Sequence, residues 1–184
     1  GKSMLIYKLL KENINNLKYF NRVAKQQGFT HIIGEMITEF KKYNISTEIL
    51  DLKEEEIKEE DLKNKIDDLK LLYKIFDESI NSKYIDSDDD LTYLAKKLVE
   101  CDIYDGAEIW LDEFTTFTPQ QLEVIKILAK KAKTVNITLC SDTIGVDRDL
   151  DYTSVFDAIK NTEYSILRMM EENNISYMEP INLN

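Results

Sequence analysis

The sequence predicts an α/β protein in two parts: a mostly helical subdomain over residues 1–101 and part of a parallel-sheet domain over residues 102–184. Three observations carry this. Only Gly1, Gly28 and Gly34 interrupt the first hundred residues, both prolines (Pro119 and Pro180) lie later, and Lys, Glu and Leu dominate the first half. Apolar residues there recur at helical spacing. After Asp102 the pattern changes to an apolar run, a helix and a second apolar run, as in a βαβ unit.

The elements follow in order. Ser3 reads as the N-cap of a first helix striped by Met4, Leu5, Leu9, Ile14 and Leu17. Ile32, Ile33, Met36, Ile37 and Phe40 stripe a second helix, and Leu62, Ile66, Leu69, Tyr73, Phe76 and Ile80 a third. The stretch from Asp51 to Lys70 holds nine acids and five lysines and reads as a solvated helix face with i to i+4 charge pairs. Ser87, followed by Asp88, Asp89 and Asp90, reads as the N-cap of a helix carrying Leu91, Leu94, Ala95 and Leu98. Ala107 to Leu111 is a short strand. Thr118-Pro119-Gln120-Gln121 is a capping box with proline at the first helical position, opening a helix from Gln120 to Ala132. Thr134 to Leu139 is a second strand, and a polar loop through Gly145 and Asp151 leads to a helix from about Thr153 to Asn173. A third strand is expected near Ile175 to Met178. Two or three strands are few for a parallel sheet, which is normally covered on both faces, so the second half reads as a piece of a larger doubly wound domain.

Composition narrows the function classes. With 184 residues, 43% hydrophobic and 10% aromatic, the chain can build a core. A net charge of −11 makes it a poor autonomous, non-specific nucleic-acid binder, although a local basic face can still touch DNA. Apolar runs are too short for a membrane span and the first twenty residues are studded with lysines, so a cytoplasmic protein without membrane partner is expected. Cys101 and Cys140 are isolated, with His31 the only further soft ligand, and read as reduced thiols in or near the core. No metal site built by this chain is expected.

Four stretches invite chemical readings. Gly1-Lys2-Ser3 matches the end of a phosphate-binding loop but lacks the preceding strand and glycine-rich turn. Asp86-Ser87-Asp88-Asp89-Asp90 has the alternating carboxylates of a calcium loop, yet Leu91 stands at the required glycine and Lys97 at the bidentate glutamate. Ile109-Trp110-Leu111 ends in Asp112-Glu113. An Asp at the carboxyl end of such a strand can hold magnesium and the next Glu can orient a water, with Asp142 presented by the neighbouring strand; loop shaping explains the same acids. Lys18, Arg22 and Lys25 lie around Tyr19 and Phe20 as a candidate DNA-binding face, against the plainer reading of a charged surface over buried aromatics.

Several segments together carry a resemblance. They are Leu17-Lys18-Tyr19-Phe20-Asn21-Arg22-Val23-Ala24, Phe29 through Glu39 with Lys41-Lys42-Tyr43-Asn44-Ile45-Ser46, Lys83-Tyr84-Ile85-Asp86-Ser87-Asp88-Asp89-Asp90-Leu91, Ala107-Glu108-Ile109-Trp110-Leu111-Asp112-Glu113-Phe114, and Phe117-Thr118-Pro119-Gln120-Gln121. In this order, from about residue 2 to 183, the chain resembles the AddB family, the B subunits of the bacterial ATP-dependent helicase/exonuclease AddAB (RexAB). The resemblance covers an internal piece of a much longer family chain. It implies a superfamily 1 helicase-like, P-loop-NTPase-like region in which a helical insertion interrupts the α/β domain. It also implies that Asp112 and Glu113 stand at the second nucleotide motif and Asp142 near the third. The pattern departs from an active helicase: no glutamine follows Asp142 in the Gly-Asp-x-x-Gln manner, and Phe117-Thr118-Pro119 replaces the Gln-Asp-Thr that trails the acidic pair. The resemblance thus implies a degenerate Mg-nucleotide site. ATP, magnesium and an iron-sulfur cluster would be bound outside this chain. The implied partners are the AddA subunit, in a heterodimer, and DNA. The implied process is resection of double-strand breaks for recombinational repair, with this piece a DNA-holding scaffold that has no activity of its own. The alternative is a free-standing acidic α/β protein-interaction module.

Overall fold

The computed structural model describes residues 1–55, 57–81, 87–142 and 154–183. It is a mostly helical α/β protein that divides into two compact units, residues 1–90 and 91–184. The sequence pattern draws the line at 101/102. Helix α5 (Asp90–Glu100) falls with the second unit because its Ala95 and Leu98 pack on Val124 and Ile127.

The first unit contains α1 (Lys2–Asn13), α2 (Gln27–Lys42), α3 (Thr47–Glu55), α4 (Glu60–Asn81) and a 3-10 turn at Ser87–Asp89. Helix α1 packs on α2 and α4, and α3 on α4. The core joins Ile6, Leu9 and Leu10 of α1 to Phe29, Ile33 and Ile37 of α2 and to Leu72, Phe76 and Ile80 of α4. Gly34 lets α1 and α2 approach closely: a Cβ there would stand 3.3 Å from Ile6 Cδ1. Helix α2 ends at Asn44, whose φ of 52° is the left-handed geometry of a C′ residue. Both bonds of a Schellman motif are made, Asn44 N–H to Lys41 C=O (3.0 Å) and Ile45 N–H to Phe40 C=O (2.7 Å).

Three expectations in this unit are corrected. The N-cap of α1 is Gly1, not Ser3, and Lys2 is already helical. The acidic stretch 51–70 is not one solvated face, since α3 ends at Glu55, residues 57–59 are not helical, and Asp68 is 1% exposed. Asp88 and Asp89 do not turn to the N-terminus of α5. Asp88 accepts from Lys2 Nζ and Thr38 Oγ1, and Asp89 from Lys41 Nζ at 2.5 Å, because two ammonium groups at the edge of the core attract carboxylates more strongly than a helix dipole does. Asp86, the first carboxylate of the calcium-loop reading, lies outside the described residues, as do residues 83–85.

The second unit follows α5 with β1 (Glu108–Leu111), α6 (Pro119–Lys131), β2 (Thr134–Ile137) and α7 (Asp157–Glu172). The strands pair in parallel, Glu108 with Thr134 through Leu111 with Ile137. The β1–α6–β2 order is the expected crossover unit. Thr118 caps α6 as expected, accepting from Gln121 N–H at 3.3 Å while Gln121 Oε1 accepts from Thr118 N–H at 2.8 Å. Val124 and Ile127 of α6 meet α5, and α6 also touches β2 and α7. Both strands are shorter than expected, and the loop through Gly145 and Asp151 lies outside the described residues, as does Thr153, the expected start of the last helix.

The third strand, expected at 175–178, is absent. Asn174 has φ 54° and Ile175 N–H bonds Met170 C=O at 2.9 Å, so Ile175 is engaged in a second Schellman motif and cannot begin a ladder. Both cysteines are exposed rather than in or near the core, Cys101 following the end of α5 and Cys140 following β2.

Candidate functional site

At the carboxyl end of β1, Asp112 and Glu113 project from the sheet and both are exposed. Asp112 Oδ1 accepts the Thr138 hydroxyl from the continuation of β2 and, at 3.0 Å, the N–H of Glu113. Thr138 N–H in turn donates to Leu111 C=O at 3.0 Å, so the two strand ends are tied by backbone and side chain together. Closing this turn holds Glu113 at φ 65°, a left-handed conformation that a residue with a Cβ rarely adopts. Beyond β2, Asp142 forms an ion pair with Lys160 of α7 at 3.0 Å, and the Ser141 hydroxyl beside it is buried without a partner. Beneath the loop, Phe114 and Phe117 stack at 4.8 Å between centroids, and Thr162 of α7 donates to Thr115 C=O at 2.8 Å. Thr116, Phe117, Leu122 and Thr162 help line a cavity of about 230 Å³ there.

These groups do not fit a magnesium-nucleotide site as they stand. A magnesium ion takes carboxylate oxygens and waters in octahedral geometry. Here one Asp112 oxygen already accepts two hydrogen bonds, and Asp142 is neutralised by Lys160. Among the described residues no three Asp, Glu, His or Cys side chains converge as a metal-holding group. Lys2, the lysine of the phosphate-loop tripeptide, has its ammonium on Asp88 and Thr38. What the strand end can do is fix a loop in one conformation.

The second candidate lies in the first unit, on the connector between α1 and α2. Lys18, Arg22 and Lys25 are all exposed on it. The connector is an irregular turn, with Val23 and Ala24 N–H both bonding Phe20 C=O, at 3.1 and 2.9 Å. Phe20 packs inward, 5.0 Å from the Phe29 ring, and Tyr19 stands edge-on to it and stays exposed. Lys18 is not unopposed: Asp67 lies 2.9 Å from its ammonium, and that hydrogen bond and charge raise its pKa above the ordinary value. Arg22 and Lys25 have no such neighbour among the described residues.

The sequence reading missed the residue that shapes this turn. Asp68 of α4, fully buried, accepts the backbone N–H groups of Lys18 (2.9 Å), Tyr19 (2.8 Å) and Phe20 (2.8 Å). Three such donors offset the desolvation of the carboxylate and lock the start of the basic connector. A signal was present: Asp68 stands in the i+4 row with Leu72, Phe76 and Ile80, which are all buried. Thr138 and Lys160, the partners of Asp112 and Asp142, carry no comparable signal.

Comparison with known proteins gives one consistent answer. A family model described as "ADDB, N-terminal" matches residues 1–184. The chain is 47% identical over 184 residues to the B subunit of an ATP-dependent helicase/deoxyribonuclease of Clostridium botulinum (strain Loch Maree / Type A3). Proteins of the same name from Clostridium perfringens (strain SM101 / Type A) and Clostridium kluyveri (strain NBRC 12016) are 46% and 43% identical to it. In each case all of this chain aligns but only 16% of the relative's length is covered.

Proposed function

This chain belongs to the ADDB N-terminal family, and from that premise we propose that it is a non-catalytic, DNA-holding part of the B subunit of an ATP-dependent helicase/deoxyribonuclease. With its partner, AddA in this reading, the whole protein resects double-strand DNA ends before recombinational repair. ATP, magnesium and an iron-sulfur cluster serve that larger assembly from outside this chain. Among the described residues no helix is long and apolar enough to cross a membrane; the cytoplasm is the location this reading assigns.

The observation that carries the non-catalytic reading is the strand end itself. Its acids hold neighbouring side chains and backbone: Asp112 serves Thr138 and Glu113 N–H, and Asp142 serves Lys160. In this reading Asp112, Glu113 and Asp142 are what is left of a degenerate nucleotide site. Isothermal titration with Mg-ATP tests this on the present chain and on the full-length protein. No heat from the present chain is expected, whereas saturable binding by it would overturn the reading.

The DNA-holding role falls to Arg22 and Lys25, with Lys18 contributing less because Asp67 already neutralises it. Each basic side chain withdrawn from a phosphate leaves one counterion condensed on the DNA and lowers the slope of log K against log salt by roughly 0.9 for a duplex. Reversing Arg22 and Lys25 to Glu in the full complex should weaken DNA binding and flatten its salt dependence by the equivalent of about two phosphates. An unchanged slope would remove these residues from the DNA path. The alternative of a free-standing acidic interaction module has no observation in its favour.

A further inference from the structure

Two neighbouring acids of α4 divide the hold on the basic connector between them. Successive helical positions differ in direction by about 100°, so Asp68 is buried in the core while Asp67 stays at its margin, with 25% of its side chain exposed. Asp68 takes the backbone, accepting the N–H groups of Lys18, Tyr19 and Phe20. Asp67 takes the charge, its Oδ2 accepting from Lys18 Nζ at 2.9 Å. The Lys18 side chain is nevertheless 61% exposed, so this pair is made in water and not in a closed pocket. Asp67 also has a second cation. Lys70, one turn further along α4, places its Nζ 3.7 Å from Asp67 Oδ1 and pairs with Asp51 of α3 at 2.5 Å.

We propose that Asp67 is an intramolecular stand-in for a DNA phosphate, an autoinhibitory contact that Lys18 gives up when it takes hold of DNA. A carboxylate and a phosphodiester both present anionic oxygens to an ammonium, so one can displace the other at Lys18. The exchange needs no movement of the connector, because Asp68 fixes the Lys18 backbone and only the flexible four-carbon stem has to turn. It does not strand the carboxylate either, since Lys70 remains beside Asp67. An exposed ion pair is weak enough for an arriving phosphate to break. Lys41 makes the contrast: it too stands between two acids, Asp77 at 3.4 Å and Asp89 at 2.5 Å, but its side chain is 2% exposed and no outside anion can reach it. Arg22 and Lys25 are therefore standing contacts of the connector, and Lys18 is a conditional one whose strength Asp67 sets.

The test is binding of a DNA duplex by the full complex across a salt series, with Asp67→Asn and Lys18→Gln made singly and together. Asp67→Asn should tighten binding roughly two- to fivefold at low salt and steepen the slope of log K against log salt by up to about 0.9, the share of one phosphate. Lys18→Gln alone should do little, yet in the Asp67→Asn background it should abolish the gain. Unchanged affinity and slope in Asp67→Asn would overturn the proposal. An equal gain with and without Lys18 would overturn it too, because Asp67 would then only repel DNA through the general field of an acidic chain. Amide exchange at Lys18, Tyr19 and Phe20 should stay as in the parent, since Asp68 is untouched, and Asp67→Ser supplies the same readout if Asp67→Asn disturbs the helix. The inference rests on the DNA-holding reading of the connector, and the two fail differently. If reversing Arg22 and Lys25 leaves the slope unchanged, that reading falls and this inference with it. If the reversal flattens the slope while Asp67→Asn changes nothing, only the phosphate stand-in falls.

Discussion

The two units solve the burial problem differently. In the first, three helices enclose Phe76, Ile37 and Ile33 almost completely, and the charges that border this core are paired. In the second, the buried cluster of Ala95, Leu98, Val124 and Ile127 joins helices α5 and α6, while the sheet that α6 touches shows its tryptophan to solvent. A helix can bury its apolar stripe against two neighbours and be satisfied. A parallel strand needs partners on two edges and two faces, and a pair of strands cannot supply them. The first unit thus buries its apolar residues among its own helices, and the second leaves Trp110 exposed on its two-stranded sheet.

That contrast can be broken most directly at Phe76. Phe76→Ala should cost about 3–5 kcal/mol, because it empties a fully buried site and removes the ring that the Lys2 and Lys41 ammonium groups overlie at 5.6 and 5.7 Å. Urea unfolding followed by circular dichroism measures the loss. Trp110 is the only tryptophan, so its fluorescence reports the second unit alone, and a fluorescence transition shifted by the same amount would contradict two units that unfold separately.

Asp68→Ala comes next. It leaves three N–H groups of the basic connector without their buried acceptor, for an expected loss of roughly 1–3 kcal/mol. Faster amide hydrogen exchange should be confined to Lys18, Tyr19 and Phe20, and unchanged protection there would show that the turn holds itself. In the second unit Thr118→Ala removes one half of the capping box and should cost about 1 kcal/mol, read as a shift of the fluorescence midpoint.

The smallest effect is on acid stability. Burial pushes the Asp88 pKa up, but the hydrogen bonds from Lys2 and Thr38 and the charges of Lys2 and Lys41 outweigh it and hold the group below its ordinary value. A carboxylate lowered in this way stabilises the fold fully above its ordinary pKa of about 3.9, and the contribution fades as pH falls through the lower folded value. Asp88→Asn should therefore be less stable than the parent at neutral pH, with the gap closing below about pH 4. A gap independent of pH in urea titrations would mean that packing, not charge, sets the difference.

Much of this was legible in the sequence, and the exceptions share a cause. The apolar stripes find the buried Leu9, Ile33, Ile37, Phe76 and Ile80 but also take in Met4, Ile32 and Leu62, which are exposed, and miss Ile6 and Leu10; the capping box at Thr118 starts a helix as its spacing dictates. Yet each buried row of the first unit runs on into a charge: Lys2 before Ile6 and Leu10, Lys41 after Ile33 and Ile37, Asp68 before Leu72, Phe76 and Ile80. Hydropathy counts such residues as solvent-facing. The structure turns them to Asp88, to Asp89 and Asp77, and to backbone N–H groups far away in the chain. The third strand failed for the opposite reason, since Asn174-Ile175-Ser176 repeats Asn44-Ile45-Ser46 and both asparagines are local helix terminators. That signal stood in the sequence beside a strand-like run that had no partner.

By itself, then, the sequence determined the helices other than α3, the crossover unit, the acids at the strand end and the family resemblance, all of which depend on short-range pattern or residue identity. Only the tertiary structure decided what the charges do. Whether Asp112 or Asp142 is available to a ligand turns on Thr138 and Lys160, 26 and 18 residues away, and whether a basic connector keeps its shape turns on a carboxylate about 50 residues further on. Electrostatic and hydrogen-bonding partners are chosen by distance in space, at a range of a few ångströms, and no local pattern encodes that choice.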